Sequence, residues 1–317
     1  MTPPLIVLGV SRSGTTMLRV ILDRSPGLAI PDESFFVPLL ARRHRRVDPE
    51  RFLDDLARLA TLREWGLRPS DVAPMLHPGM STGAAIAAVF EAYAARQGKS
   101  RWGDKTPMYM RHLGLLDDLF PDAQYVHLIR DGRDAALSFL ELPEGTFTRT
   151  WAHPTSPRAF ACEWLVEVEA ARALGRRVGA ERYREVRYEE LVARPETVTE
   201  TICEFAGIPF EPEMADYVGR TDVADKLHQR RLTQPPTVGV RDWREEMSEE
   251  DVRGFEAIAG GLLGELGYER RHPDEAHRGM SARAEVGWYR MRLAAWNAAA
   301  SAVQRSGLWR RRHPSLA

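Results

Sequence analysis

The feature that most constrains the fold is an apolar run followed by a glycine-framed turn. Residues 4–9 are continuously apolar, which is typical of a strand buried on both faces of a parallel sheet. The turn, Gly9 to Thr16, has the spacing G-x-x-x-x-G-T-T, and residues 15–24 have the pattern of a helix. Because such a turn points its backbone N–H groups towards the space before the helix, it can bind an anion.

This turn has the frame of a nucleoside-triphosphate-binding loop but lacks its lysine. Thr15 stands where that loop has the lysine that contacts the β- and γ-phosphates, and Arg12 places a cation elsewhere in the turn. The sequence therefore indicates a diphosphate-sized anion rather than a triphosphate. The alternative is an ordinary strand-to-helix turn in which Ser and Thr side chains cap the helix.

The rest of the chain alternates between strand and helix patterns. Strands are predicted over 124–129 and 183–187, and helices over 83–96, 108–119, 134–140, 158–178, 195–206 and 248–266. This alternation predicts an α/β fold with a central parallel sheet flanked by helices. Residues 34–80 are helical in pattern but interrupted by prolines, and they predict a helical lid within a domain that spans 1–275.

Three later motifs contain residues suited to binding phosphate or a base. Arg130 follows a predicted strand and Ser138 comes eight residues later, so the two could hold a phosphate from two sides. Lys105 precedes a Thr-Pro turn and is one of three lysines among 44 cationic residues. Tyr188 follows the next predicted strand and could stack on a base. The alternatives are a solvated Arg/Asp turn, an exposed loop lysine and a core tyrosine.

Charge and composition exclude several functions. The formal net charge is −1, so the chain as a whole is not suited to binding nucleic acid. Two cysteines, Cys162 and Cys203, are too few for a disulfide framework or a metal site. The sequence lacks an apolar run of about 18 residues that could span a bilayer, and the run at 5–10 is too short for a signal peptide. We therefore expect a cytoplasmic protein.

Together these motifs resemble the sulfotransferase family that uses 3′-phosphoadenosine 5′-phosphosulfate (PAPS). The resemblance runs from about residue 4 to residue 268 and keeps the family's motif order: Ser-Arg-Ser-Gly-Thr-Thr, Gly-Asp-Lys-Thr-Pro, Arg-Asp-x-Arg-Asp with a following Ser, and Tyr-Glu-Glu-Leu. The segment 12–33 looks especially like the tyrosylprotein and bacterial branches. The resemblance implies a three-layer, P-loop-like α/β fold and a transferase that binds PAPS, releases 3′-phosphoadenosine 5′-phosphate (PAP) and needs no metal.

The resemblance also implies a role for each residue at a matching position. The 5′-phosphosulfate would be held by the first loop, which comprises Arg12, Ser13, Gly14, Thr15 and Thr16. Arg130 and Ser138 would hold the 3′-phosphate, and Tyr188 would lie near the adenine. Lys105 would face the transferred sulfuryl group. Glu33 matches the family's catalytic glutamate and would accept the proton of the acceptor hydroxyl.

Other residues compete for two of these roles. Asp32 is the rival base, and His112 and His127 are lesser candidates, of which His127 is more typical of a core histidine. Near the C-terminus, Val238-Gly239-Val240-Arg241 replaces an Arg-Lys-Gly triplet of many relatives. Arg241 would then supply part of the missing phosphate clamp.

The residues after Glu33 indicate the kind of acceptor. Phe35 and Phe36 occupy places where the tyrosylprotein branch has arginines for acidic peptides, so we expect a more apolar acceptor. The acceptor would be a hydroxyl of a small molecule, a glycan or a lipid, bound between the lid and a loop at 141–157.

The C-terminal tail, residues 276–317, has eight arginines and a single acid, Glu285. Apolar residues recur at alternating spacings of four and three and predict one face of a helix; they are Tyr289, Leu293, Trp296, Ala300 and Val303. This helix would pack on its own domain or on a second copy in a homodimer, or it would lie on a membrane surface and present a lipid acceptor.

Two other functions use the same motifs. The first is an ATP-dependent small-molecule kinase with a degenerate loop, which the missing loop lysine disfavours. The second is a non-catalytic nucleotide-binding homologue. The presence of the residues suited to catalysis and binding disfavours this function; they are Arg12, Glu33, Lys105 and Arg130.

Overall fold

The computed structural model describes residues 2–142, 153–216, 241–273 and 279–305. Within these ranges, five strands form one sheet: β1 (Leu5–Leu8), β2 (Leu28–Ala29), β3 (Arg101–Asp104), β4 (Gln124–Ile129) and β5 (Tyr183–Arg187). The strand order is β2-β3-β1-β4-β5, and every pairing is parallel. The predicted α/β fold with a central parallel sheet is confirmed.

The described ranges also contain fourteen α-helices: α1 (Thr15–Asp23), α2 (Val37–Arg43), α3 (Pro49–Ala57), α4 (Ala60–Glu64), α5 (Pro69–Val72), α6 (Thr82–Arg96), α7 (Leu113–Leu119), α8 (Gly132–Leu140), α9 (Pro157–Val178), α10 (Tyr188–Ala193), α11 (Pro195–Ala206), α12 (Trp243–Glu246), α13 (Glu249–Glu265) and α14 (Met280–Arg305). Short 3₁₀ helices lie at Ala73–Met75, Pro107–Arg111 and Pro212–Ala215. In this part of the chain, no helix combines the length and the hydropathy that crossing a bilayer requires.

Helices cover both faces of the sheet and produce three layers. Along β1, Leu5 and Val7 belong to the core that includes residues of α1 and α11. Ile6 and Leu8 belong to the larger core that includes residues of α2, α6, α9 and α13. Because alternate residues of a strand face opposite sides, a wholly apolar β1 is what a sheet covered on both faces requires.

The carboxyl ends of four adjacent strands bring the sequence motifs to one edge. β1 leads into the loop that begins at Gly9, β3 into Lys105, β4 into Arg130 and β5 into Tyr188. β1 lies between β3 and β4. The segments that follow β1 and its two neighbours therefore leave the sheet side by side. Ligands of parallel α/β sheets bind at such an edge, and the topology therefore selects this edge as the site.

The predicted secondary structure was wrong in three places. β3 was not predicted, because its end residues Arg101 and Asp104 are polar. Arg101 is buried and donates to the Ala206 carbonyl and the Gln124 side chain. The predicted helix at 108–119 divides at His112 into a 3₁₀ helix and α7. β2 and α10 were not predicted, since a two-residue strand and a six-residue helix carry too little periodicity.

The region predicted as a helical lid consists of α2 to α5 and the 3₁₀ helix that follows. Its apolar side chains join the larger core, and Phe36 packs edge-on against Trp65 with ring centroids 5.5 Å apart. Most of the loop predicted to line the acceptor site, residues 143–152, lies outside the described residues, as does the segment 238–240.

The C-terminal helix α14 packs against α9 and α13. Its buried face contains Ala282, Val286 and Tyr289, and the Tyr289 hydroxyl donates to Glu163 at 3.3 Å. Arg158 holds Glu285 with two hydrogen bonds of 2.8 and 2.6 Å. The side chains of Ala300 and Val303, which the sequence placed on the same face, lie outside those described.

Candidate active site

The loop after β1 has the backbone of an anion cradle. Arg12 has a φ of 70° and Gly14 a φ of 87°, so both adopt the left-handed conformation. Gly14 caps α1 without a side-chain hydrogen bond to the first turn, and the predicted alternative of Ser and Thr caps is therefore not observed. Within the described residues, the buried Ser13 hydroxyl has no hydrogen-bond partner, and buried hydroxyls are usually paired.

Gly14 is required by a close aromatic neighbour. A Cβ atom at this position would lie 2.4 Å from Cδ2 of Tyr188, a distance that no side chain could tolerate without movement of the ring. Tyr188 begins α10 directly after β5 and is partly buried against the loop. Its ring therefore forms a wall of the cradle and is not simply a core tyrosine.

Arg12, Ser138 and Arg130 form a connected group around the loop. The Arg12 Nε donates to the Ser138 Oγ at 3.0 Å, and the Arg130 Nη1 donates to the Arg12 carbonyl at 3.2 Å. The Arg130 guanidinium lies 4.7 Å from the centroid of the Tyr188 ring. Its Nε is buried and has no hydrogen-bond partner among the described residues. Two arginines around a cradle of this kind favour an anion with more than one charged group.

Lys105 joins the loop to the predicted base. Its Nζ lies 2.5 Å from Glu33 Oε1 and donates to Thr16 Oγ1 at 3.2 Å. Lys105 is only 1% exposed, so the alternative of an exposed loop lysine is wrong. Burial lowers the pKa of Lys105, and the Glu33 carboxylate acts in the opposite direction.

The two adjacent carboxylates, Asp32 and Glu33, have different partners. Asp32 forms an ion pair with Arg19 at 3.1 Å, and Arg19 also donates to the Ile30 carbonyl. Glu33 contacts Lys105 instead. The geometry therefore gives Asp32 a role in holding the chain after β2, and it places Glu33 beside the cation of the site.

A buried hydroxyl network, which the sequence analysis missed, lies directly behind Glu33. The Ser34 N–H donates to Thr106 Oγ1 at 3.0 Å, and the Ser34 Oγ is 2.7 Å from the Tyr109 hydroxyl. Tyr109 also accepts from the Val37 N–H at 3.1 Å. The Thr106 hydroxyl donates to Asp104 at 3.2 Å. This network fixes the chain that carries Glu33 to the chain that carries Lys105.

Burial raises the pKa of Asp104 to about 7, against hydrogen bonds from Ser34 and Thr106 and the charge of Lys105, which lower it. The string Gly-Asp-Lys-Thr-Pro was the available signal for this carboxylate. Nothing in that string shows that Asp104 is buried, because its burial comes from the pairing of β3 with β1 and β2.

The remaining charged residues of the Arg130 motif hold the fold together. Arg133 is fully buried, donates to Asp131 at 3.0 and 2.7 Å, and lies 3.5 Å from the Trp243 ring centroid. Asp134 accepts from the Trp243 N–H at 2.9 Å. Trp243 and the Arg-Asp-x-Arg-Asp motif therefore belong to one structural cluster, and Arg130 is the member of the motif that contacts the loop.

Glu189, the acidic residue that follows Tyr188 in the fourth motif, has a structural role. Its carboxylate accepts from the Asp131 N–H at 2.9 Å and from the Tyr268 hydroxyl at 3.0 Å. Glu189 thus ties the start of α10 to the turn after β4. This contact keeps Tyr188 beside Arg130.

Three other predicted residues lie away from these contacts. Arg241 pairs with Glu141 and with Glu246, the latter at 2.5 Å, at the carboxyl end of α8 beyond Ser138. His127 is buried in β4 and bonds the Tyr183 hydroxyl at 2.6 Å, and burial lowers its pKa to about 3. Burial and the charges of Arg42 and Arg111 lower the pKa of His112 to about 4.

Comparison with known proteins gives the family. The profile of a group described as "Sulfotransferase family" matches residues 3–212, which is more than half of the chain and includes every strand in the sheet. The chain is a member of the sulfotransferase family. The resemblance seen in the four motifs is therefore confirmed.

Relatives of this sulfotransferase include a bacterial nodulation protein and a protein-tyrosine sulfotransferase. It is 28% identical to the nodulation protein NoeE of Sinorhizobium fredii over 84% of its own length and 67% of NoeE. It is 27% identical to a protein-tyrosine sulfotransferase of Drosophila melanogaster over 66% of its own length, but this match covers 38% of the fly protein.

Solved structures support the fold. The sulfotransferase domain of the Synechococcus PCC 7002 olefin synthase superposes with a TM-score of 0.53 at 28% identity, covering 81% of this chain and 94% of that domain. The sulfotransferase domain from the curacin biosynthetic pathway superposes with a TM-score of 0.51 at 19% identity, covering 85% of this chain and 99% of the domain. The P-loop-like α/β architecture is thus shared with sulfotransferases.

Proposed function

We propose that this sulfotransferase moves the sulfuryl group of PAPS to a hydroxyl group on an apolar acceptor. The observation that carries the proposal is the 2.5 Å contact between Glu33 and Lys105 beside the anion loop. It places a carboxylate that can accept a proton next to an ammonium that can stabilise negative charge. Both roles are required when an alcohol attacks a sulfuryl group.

The residues around the loop fit a donor with two separate anionic groups. Arg12 and the residues from Ser13 to Thr16 would hold the 5′-phosphosulfate, and the Ser13 hydroxyl is a buried group that lacks a partner. Arg130 and Ser138 would hold the 3′-phosphate, towards which the unpaired Arg130 Nε is available. The loop has no lysine for a triphosphate, which disfavours an ATP-dependent kinase.

Proton and charge transfer then follow from the positions of two side chains. As the acceptor oxygen bonds to sulfur, Glu33 takes the hydroxyl proton, and the bond from sulfur to the 5′-phosphate oxygen breaks. Lys105 and Arg12 stabilise the charge that develops on that oxygen and on the sulfuryl oxygens. No metal takes part in this scheme. Arg241 would supply part of the clamp on the 3′-phosphate, which would replace one of the two carboxylates that Arg241 contacts here.

Two exposed apolar side chains next to the base favour an apolar acceptor. Phe35 is 42% exposed and Met108 39% exposed, and they adjoin Ser34 and Tyr109, whose hydroxyls are 2.7 Å apart. In the described ranges outside α14, they are the large apolar residues that remain exposed. Phe35 has a φ of 53°, a conformation that is costly for an aromatic residue. An acceptor with an apolar group near its hydroxyl would cover both side chains, and a small molecule, a glycan with an acyl chain or a lipid can supply one.

The compartment we propose is the cytoplasm. Cys162 and Cys203 are both free and buried, as expected of a protein kept in a reducing environment. Burial raises the pKa of both thiols to about 11, so neither is a reactive thiolate.

Calorimetry with PAP, ADP and ATP, followed by turnover of PAPS, tests this function. We expect PAP to bind more tightly than ADP or ATP. Glu33→Gln should leave PAP affinity within about twofold and reduce kcat by about 10²–10⁴-fold, the usual contribution of a general base. The matched variant Asp32→Asn should retain most of its activity. Preference for ATP would favour the kinase, and PAP binding without turnover on any acceptor would favour a non-catalytic homologue. Full turnover by Glu33→Gln would refute the assigned base.

A further inference from the structure

The C-terminal helix α14 has two apolar faces. The inner face packs on the domain through Ala282, Val286, Tyr289 and Leu293, and the half-buried Trp296 continues the same face. The outer face repeats the same alternating spacing two residues further on and is exposed along its length, with Ala284, Trp288, Met291, Ala295 and Ala298. Trp288 is 58% exposed and Met291 55% exposed. A helix that lies on a domain surface usually has polar residues on its solvent-exposed face, so this apolar outer face is unusual.

The orientation of this helix is fixed by contacts of its inner side. Tyr289 bonds Glu163, and Glu285 is held by two hydrogen bonds from Arg158. An offset of two residues rotates a position by about 200° around a helix. The outer face therefore points away from the domain, and a Cβ atom at Gly287 would meet nothing within 4 Å.

The charges around the outer face are almost all positive. Arg283 and Arg290 are exposed on one flank, where Arg290 also contacts Glu169 of α9 at 3.2 Å, and Arg292 lies on the other flank. Glu285 is the one acid after residue 275, and Arg158 neutralises it. The sequence from 286 to 317 has six arginines and no acid. An apolar stripe with a tryptophan and basic flanks is the composition of a helix that lies on an anionic bilayer.

We propose that the outer face of α14 binds the surface of an anionic lipid bilayer. The helix would lie in the plane of the interface, with Trp288 and Met291 at the boundary between headgroups and acyl chains and the arginines against the headgroups. This inference concerns a surface on the opposite side of α14 from the domain core, and it does not depend on the proposed donor or base.

A second copy of the chain fits the same face less well. A symmetric contact through α14 would bring Arg283 and Arg292 of both copies together, and the outer face itself carries no acid. Glu169 of α9 pairs with Arg290, on the flank that also carries Arg283. Its small residues would also bury little side-chain area against another helix. Charge complementarity therefore favours an anionic surface over a homodimer.

Vesicle flotation of the full chain tests the proposal. We expect binding to phosphatidylcholine vesicles that contain about 30% phosphatidylglycerol, little binding to phosphatidylcholine alone, and weaker binding when salt rises from about 0.05 M to about 0.5 M. Trp288→Ser with Met291→Ser should reduce partitioning at least about tenfold, because it removes the apolar contact. Turnover of a water-soluble acceptor should not change, since both side chains are outside the site.

Two single variants show whether vesicle binding depends on the arginines of α14 or only on the net charge of the protein. Arg283→Gln should weaken partitioning about fivefold, the contribution of one arginine near an anionic surface. Arg63→Gln removes the same charge from an exposed position on α4 and should have a smaller effect. Absence of flotation by the unmodified chain, or equal flotation of the double variant, would overturn the proposal. A dimer in light scattering that the double variant abolishes would also overturn it and would assign the face to a second copy.

Discussion

Replacing Tyr109 with phenylalanine tests whether the buried hydroxyl network positions the base. The change removes the acceptor for the Val37 N–H and the 2.7 Å partner of the Ser34 hydroxyl. All three residues are almost fully buried, so water cannot replace the lost partner. A buried group left unpaired costs about 1–3 kcal/mol. Ser34 keeps Thr106 as a partner at 3.3 Å, and we therefore expect a total loss of about 2–3 kcal/mol in the free energy of unfolding.

The effect on catalysis follows from the position of Glu33 in the chain. Glu33 immediately precedes Ser34, so a relaxed Ser34 backbone displaces the carboxylate from the acceptor hydroxyl. Displacements of about 1 Å in a reacting group can cost about 100-fold in rate. We expect Tyr109→Phe to lower kcat about tenfold or more and to leave the KM for PAPS within about twofold, because the hydrogen bonds that it removes go to Ser34 and Val37 rather than to the donor loop.

Urea unfolding and steady-state kinetics measure the two effects separately. Tyr125→Phe is the matched control: it removes the same atom from a buried tyrosine near the amino end of β4, at the opposite edge of the sheet from the site. Ser34→Ala provides a second perturbation with a smaller loss of packing. If Tyr109→Phe loses stability but keeps the full kcat, the network only supports the fold and the positioning argument fails.

Two further predictions concern a glycine and a buried acid. Gly14→Ala should abolish measurable PAP binding in calorimetry, because the new methyl would lie 2.4 Å from Tyr188; Gly79→Ala has a similar φ of 83° but open space, so it should lose only about 1 kcal/mol of stability and bind PAP normally. Burial raises the pKa of Asp104 from 3.8 to about 7, so the folded state binds the extra proton. Its contribution therefore makes the free energy of unfolding fall as pH rises from about 4 to about 7, by as much as about 4 kcal/mol. Urea titrations at several pH values should show this fall in the unmodified chain and not in Asp104→Asn, and parallel profiles would contradict the role of Asp104.

The parts of the fold that the sequence predicted are those with local signals. β1, β4 and β5 are runs long enough to recognise, and the bounds of α6, α9, α11 and α13 lie within one or two residues of those predicted. Caps explain part of this accuracy, since Ser248 accepts from the Asp251 N–H at the start of α13. Gly207 ends α11 in the left-handed conformation, which glycine adopts at little cost.

What the sequence missed depends on contacts between distant segments. Ser34 and Tyr109 are 75 residues apart, and no local pattern indicates that their hydroxyls meet. β3 was missed because its first residue, Arg101, is polar and finds its partner in Gln124, at the start of β4. The contacts of Arg241 with Glu141 and Glu246 could not be predicted from the sequence either.

The strand register explains how a lysine from another segment reaches this loop, which has no lysine of its own. Asp104 pairs with Ile6, so Lys105 follows the point where β3 runs beside β1 and its Nζ reaches Thr16 in the loop after β1. The cation is thus supplied from the neighbouring strand. Because the same ammonium contacts Glu33, one side chain touches both the residues proposed to hold the donor and the carboxylate proposed to activate the acceptor. A lysine inside the loop could not make both contacts, since its side chain would be committed to the phosphates. Moving the cation to β3 therefore couples the two halves of the site.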